Sequence, residues 1–509
     1  MRRMLCWLLC LCCLVGLSGC TTPAVSPAVS ATLPPAASLY EAPVGDDGMR
    51  YSATVALYLP SRDGTRLLAR YQTLELTHSR SPAETVVRAL LAHPGDQDVM
   101  PLGGGVNLTL YGTNPVEVSG GVCTVNLASS ALQLEHERFY TVCMGLASTL
   151  CQLDGILHVN VLVADLPVGL DVAGYLPTGA VTAHPGEDLT VLWDQMAARA
   201  TPLGQSVSEM PLTATVTLYF PLEGGGFMPE TRNLTFAGQT PAQLASGVLT
   251  AMSVGAQYLT GACTMPDLNA LLSSPPESSA LADGSRLITL NFVGDFTSRL
   301  ALVGIDPASM MGAIVYTLTT LIPSVSSVRI VSGGVTYSGV SGEKTGSLTF
   351  PEGNQRRSHY AAALMEQVNV YLATGGRLKA VVRAVPCREA DDPRTLMALL
   401  LAGPTTAERA AGLSPVLPEG LGGEDVLGMG MSGDTLLLNL SERFGQRIME
   451  QTMNEQLLCY AMVTTLCEAG ALRRVRFFFA GDMMEHLGGT LYWGGEFLLN
   501  RVLIDRTIG

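Results

Sequence analysis

The chain has 509 residues, a formal net charge of −14, and 47% hydrophobic against 15% charged residues. That apolar content belongs to a folded globular protein and excludes a disordered one. The acidic balance argues against nucleic acid as a partner, and against adhesion to anionic lipid through the protein's own surface.

The first residues read as an address. Arg2 and Arg3 precede a short apolar run, Met4 to Leu17, which is too short for a comfortable membrane span. The run ends in Leu17-Ser18-Gly19-Cys20, a lipobox. Residues 1–19 are therefore expected to be a lipoprotein signal peptide, with Cys20 the lipidated first residue of the mature chain. At about 0.8 kcal/mol per buried methylene, several acyl chains anchor stably where one does not. Residues 20–50, carrying Pro23, Pro27, Pro34, Pro35 and Pro43, are expected to form a solvated, extended tether. No later segment reads as a convincing spanning helix, so the expected location is the extracytoplasmic face of the cell membrane.

One pattern then occurs three times. An apolar run carries Tyr58, Tyr219 or Tyr371; a glycine turn and a second extended run follow, which predicts a hairpin. Ser81-Pro82, Thr240-Pro241 and Asp392-Pro393 each place a capping oxygen before a first-turn proline, which predicts a helix. Glu84 and Gln243 complete expected capping boxes; Thr395 in the third copy does not. After an irregular Gly- and Pro-rich stretch come strands at 122–127, 287–292 and 435–440, each with an asparagine: Asn126, Asn291, Asn439. A second helix, expected over 135–152, 307–321 and 451–469, carries a Thr-Leu pair, and a last strand closes each unit. The expected class is α+β: three tandem repeats at 51–190, 213–345 (diverged) and 366–500, each a mixed sheet with two helices packed on one face.

The cysteines fit core positions. Cys6, Cys10, Cys12 and Cys13 belong to the signal. Aligning Thr149, Thr320 and Thr465 sets Cys143 against Ile314 and Cys459, and Cys151 against Ile322 and Cys467; aligning the asparagines sets Cys123 against Ile288 and Leu436. Alternation with apolar residues marks small buried side chains. Cys143 and Cys151 on one helix would lie about 12 Å apart, too far to bridge. Cys263 and Cys387 stay unassigned.

No catalytic constellation emerges. His78, His93, His136, His158, His184, His359 and His486 are scattered and lack zinc-site spacing. Gly103-Gly104-Gly105 precedes a strand, not a helix, and reads as a loop rather than a phosphate cradle. Glu135, His136 and Glu137 have no counterpart in the other copies and read as helix-dipole complements. Tyr492-Trp493 could stack on a sugar, or sit in a partly buried hairpin. The expectation is no catalytic, cofactor or metal site, and a chain that is not an enzyme.

These residues resemble the GerMN domain, a module of bacterial sporulation and germination lipoproteins. The third copy carries the fullest set: Leu401-Ala402-Gly403-Pro404, Leu417-Pro418-Glu419-Gly420, the asparagine strand and the Thr-Leu helix. The first has Leu91-Ala92-His93-Pro94, and the second lacks a Gly-Pro after its first helix. The resemblance implies an envelope lipoprotein with a fold similar to ring-building motifs, and no catalytic residues to carry over. The expected function is a membrane-anchored scaffold or binding protein for envelope assemblies in sporulation or germination, partnering itself or other envelope proteins. The alternative is a peptidoglycan- or glycan-binding module unrelated to sporulation, with Trp493 as an exposed contact.

Overall fold

The computed structural model describes residues 40–46, 50–77, 81–171, 174–199, 210–451, 454–468 and 472–505. The signal peptide, Cys20 and most of the expected tether lie outside the described residues. Residues 42–509 form one compact unit; of residues 1–41, only 40 and 41 are described.

In the first repeat, the tyrosine run becomes β1 (Arg50–Pro60), paired antiparallel along its whole length with β2 (Leu67–Thr77). Helix α1 (Pro82–Ala92) starts where Ser81 Oγ accepts the Glu84 N–H at 3.1 Å. β3 (Val116–Ser119) and β4 (Val122–Leu127) form a tight antiparallel pair. α2 (His136–Leu150) crosses over to β5 (His158–Val163), parallel to β4, and β6 (Leu166–Pro167) closes the sheet. α3 (Leu189–Ala197) follows, capped by Asp188.

The second repeat has β7 (Leu212–Pro221), β8 (Phe227–Phe236), α4 (Pro241–Ser253), β9 (Glu277–Ala280), β10 (Arg286–Phe292), a short α5 (Phe296–Leu302), α6 (Pro307–Leu321), β11 (Val325–Ser332) and β12 (Val335–Thr336). An appendix follows: β13 (Gly339–Gly342), β14 (Gly346–Thr349), β15 (Asn354–Gln355) and α7 (Arg357–Tyr360). The third repeat has β16 (Met365–Thr374), β17 (Arg377–Pro386), α8 (Pro393–Ala402), α9 (Thr406–Ala410), β18 (Val426–Ser432), β19 (Thr435–Leu440), α10 (Glu442–Glu450), α11 (Glu455–Glu468), β20 (Arg474–Phe479) and β21 (Glu496–Leu498). The capping box at Thr240 and Gln243 is complete. Asp392 caps α8 through the Arg394 N–H.

The α+β class holds, but each expected single sheet is split. The hairpin stands alone as a two-stranded sheet, and a separate sheet runs β3-β4-β5-β6, β9-β10-β11-β12 or β18-β19-β20-β21. The first strands of these sheets fall in the Gly- and Pro-rich stretches whose sequence reads as irregular. The reason for the split is the second helix. In α2 every residue from Phe139 to Leu150 is buried, and in α6 every residue from Ala308 to Leu321. A helix buried all round needs cover on both sides. It fastens to the hairpin by side chain: Thr149, Thr317 and Thr465 Oγ1 accept the backbone N–H of Tyr58, Tyr219 and Tyr371 at 3.0, 3.0 and 3.2 Å. Gln152 adds two bonds to Ala56, through its Oε1 at 2.9 Å and its Nε2 at 2.6 Å.

These bonds correct the alignment of the second repeat. Thr317, not Thr320, is the counterpart of Thr149 and Thr465. Cys143 and Cys459 then stand opposite Met311, and Cys151 and Cys467 opposite Thr319. Cys123, Cys143, Cys263, Cys459 and Cys467 are buried, Cys151 and Cys387 half-buried, and all seven are unpaired. Burial pushes the thiols of Cys467 and Cys387 up to about 12, helped by Asp434 for the former and by Glu117 and Glu366 for the latter.

One apolar core runs unbroken through the first two repeats, from Val55 to Leu364; the third repeat has its own, from Val368 to Phe497. Among the described residues, no single helix is long and apolar enough to cross a membrane.

Candidate functional site

In each repeat, the parallel strand pair ends in a two-residue turn with both residues left-handed: Ala164-Asp165, Gly333-Gly334 and Ala480-Gly481, with φ from 50° to 94°. This is the backbone of a tight hairpin turn. In the first and third repeats the asparagine belongs to it. Asn126 Oδ1 accepts the Asp165 N–H, and Asn439 Oδ1 accepts the Gly481 N–H, both at 3.0 Å.

The other half of each amide sets the repeats apart. Asn126 Nδ2 donates to Asp165 Oδ1 at 2.6 Å, and Asn291 Nδ2 to Ser274 Oγ at 3.0 Å. In the third repeat the turn residue is Gly481, with no carboxylate to take that bond. Asn439, almost wholly buried, donates instead to the carbonyl of Pro43 at 3.0 Å.

Pro43 to Asp46 forms a strap along the outer edge of β18. Gly45 bridges Gly428 in parallel. Its N–H donates to Leu427 O at 3.2 Å, and its carbonyl accepts from Met429 N at 3.0 Å. Asp46 Oδ1 accepts from Met429 N at 3.1 Å and from Arg394 Nη2 at 2.7 Å, and Asp46 Oδ2 pairs with Arg394 Nε. A Cβ on Gly428 would lie 2.5 Å from Pro43 O and 2.6 Å from both Gly45 N and Gly45 O. Glycine is required here by the close approach of a second backbone. The expected tether through residue 50 is thus corrected at its end: residues 43–46 are bonded to the third repeat, because a buried amide and an edge strand offer them partners. Each backbone bond is worth about 0.5–1.5 kcal/mol net. The half-exposed Arg394–Asp46 pair adds about 0–1 kcal/mol. The chemistry is strand addition: main-chain bonds along a sheet edge, with a carboxylate clamp at one end.

Two further junctions tie the first repeat to later ones. Ser119 Oγ donates to Met365 O at 2.5 Å, and Gly120 N to Glu366 Oε2 at 2.8 Å. Burial pushes the Glu366 carboxyl up to about 7, against two backbone N–H bonds that favour its ionised form. Arg357 pairs with Glu117 at 2.8 Å, donates to Thr320 Oγ1 at 2.6 Å, and lies 3.9 Å over the Tyr316 ring.

Other residues singled out from sequence take ordinary places. Glu135, His136 and Glu137 are exposed. Gly104 packs beside the Arg138 guanidinium. Trp493 is completely buried against Phe477, Phe479 and Phe497, which corrects its reading as an exposed glycan contact; only its neighbour Tyr492 is exposed. Among the described residues, no three His, Cys, Asp or Glu side chains gather as a metal site. Asp46, Arg394 and Gly428 went unnoticed in the sequence. The available signal was Gly428-Met429-Gly430, glycines at alternate positions beside an apolar strand.

Residues 369–485 match the family described as Germane, sporulation and spore germination; this span holds Arg394, Gly428 and Asn439. No curated protein matches the sequence. Two solved structures are similar. One is the tandem GerMN domains of the sporulation protein GerM from Bacillus subtilis, 18% identical, covering 60% of this chain and 99% of that one, with a TM-score of 0.21. The other is a Clostridium perfringens protein described provisionally as a lipoprotein, 15% identical, covering 23% of this chain and 79% of that one, with a TM-score of 0.16.

Proposed function

We propose, on the premise that residues 369–485 are a GerMN domain, that this chain is a lipid-anchored, extracytoplasmic, non-enzymatic scaffold for envelope assemblies in sporulation or germination. The observation that carries the reading is that match, over the repeat whose strand edge receives a peptide. The lipobox at Cys20 supports the anchor. The recurring order of elements supports reading 51–190, 213–345 and 366–500 as three GerMN-like repeats of the ring-building type. A module present three times suits the building of contacts better than a single reaction centre. The partners are the membrane through Cys20, further copies of the chain, and other envelope proteins.

The test is crosslinking in intact cells, grown and then starved, followed by capture through a C-terminal tag. Recovery of the chain itself with sporulation-envelope proteins is expected. Recovery of wall fragments alone, in growing and starved cells alike, would replace the scaffold with a wall-binding module. Turnover of wall material by the purified protein would overturn the non-enzymatic reading.

A further inference from the structure

We propose that the strap is exchanged between copies: residues 43–46 of one chain add to the β18 edge of a second copy. The inference rests on the scaffold reading and names its contact surface and partner. Every copy carries both halves, the Pro43–Asp46 segment and the edge lined by Gly428, Met429, Asn439 and Arg394, so a neighbour offers the same bonds as those made within the chain. Exchange of an identical element between protomers therefore costs little.

Three observations favour exchange over a permanent internal clasp. The side chain at the middle of the strap, Val44, is 90% exposed and holds the strap to no apolar core. Its bonds are polar, and the Arg394–Asp46 pair among them lies at the surface. Three residues of sequence, 47–49, separate Asp46 from the start of β1 at Arg50, and short connections favour swapping. On the other side the strap continues to Cys20. Anchoring holds many copies at one surface, which raises the effective concentration of straps and edges. Donor and acceptor are different surfaces, so the contact is heterologous.

The test uses the full chain in membranes. Val44 and Leu427 each precede the bridged pair Gly45 and Gly428 by one residue, and both are exposed. One copy carries Val44→Cys, the other Leu427→Cys with a separate tag. Under mild oxidation, exchange yields a disulfide-linked pair of the two copies. The link is lost when the Leu427→Cys copy also carries Gly428→Val. All three atoms nearest to a Cβ at Gly428 belong to the strap, and its φ is not left-handed, so this change blocks the strap without straining the sheet. Arg394→Gln weakens the link without adding bulk. A copy bearing both cysteines reports occupancy within one chain. If that copy closes on itself while mixed copies stay unlinked, or if neither forms a disulfide, the proposal fails. The scaffold reading is judged separately: a Gly428→Val chain that still captures itself and envelope partners from starved cells keeps the scaffold and removes the exchange.

Discussion

Arg357 and Glu117 are two charges held almost out of water, joining the end of the second repeat to the first. Removing one leaves the other buried and unpaired, which costs about 3–5 kcal/mol. Arg357→Ala is expected to lower the unfolding free energy of the core shared by the first two repeats by that order, read from denaturant titration, and Glu117→Gln in the same chain to restore part of it. Glu366 gives a pH dependence. Its folded pKa is raised, from 4.5 to about 7, so the folded state holds the proton more tightly than the unfolded one. The associated stability is fully present below about pH 4.5 and is lost as pH rises through 7. Thermal midpoints of wild type and Glu366→Gln, compared from pH 4.5 to 8, should converge at the acid end, with wild type falling relative to the variant as pH rises. Parallel curves would remove Glu366 from the junction. Glu408 has the opposite sign: the Arg383 guanidinium holds its pKa at about 2, so its contribution is present at neutral pH and lost on acidification.

At the scale of elements, one threonine in each repeat bonds the second helix to the hairpin. Tyr219 N and Thr317 Oγ1 are both buried, so Thr317→Val strands a backbone donor at a cost of about 1–3 kcal/mol. Thr149→Val should cost less, because the Tyr58 site is only partly buried. Unfolding of the two variants, followed by tryptophan fluorescence and circular dichroism, checks that order. The helix starts were legible in sequence: Ser81, Thr240 and Asp392 cap where their prolines predict. The hairpins were legible too, since turn glycines and β-rich runs are local signals. The edge strands β3, β9 and β18 were not. They are short or glycine-rich, and they are strands because β4, β10 and β19 lie beside them. The choice between Thr317 and Thr320 has the same origin: one helical turn offers two Thr-Leu pairs, Thr317-Leu318 and Thr320-Leu321, and only the hairpin decides which one is used.

For the whole molecule, the two large cores among the described residues predict two unfolding events. Thr465→Val should move only the transition of the third repeat, and Thr317→Val only that of the first two. Calorimetry with a single transition shifted by either variant would show that the junctions at Glu366 and the strap couple the cores into one cooperative unit. The strap links the beginning of the body to its last repeat, and Gly428→Val should release it. Protease cleavage near residues 43–46 is expected to rise severalfold in that variant, with the cores intact.

The sequence by itself determined the local decisions: the threefold recurrence, the capped helices, the hairpin turns, the apolar role of cysteines such as Cys143 and Cys459, and the resemblance to GerMN domains. Each is a matter of neighbours along the chain, of propensity, periodicity and capping. Tertiary structure decided what depends on distant partners. It split the sheets around a helix buried on every side, merged two repeats into one core, enclosed Trp493, and gave the Asn439 amide to Pro43 because Gly481 lacks the carboxylate that Asp165 supplies in the first repeat. Those outcomes rest on which groups are left unsatisfied once the chain has folded, and the partner that satisfies Asn439 lies 396 residues away.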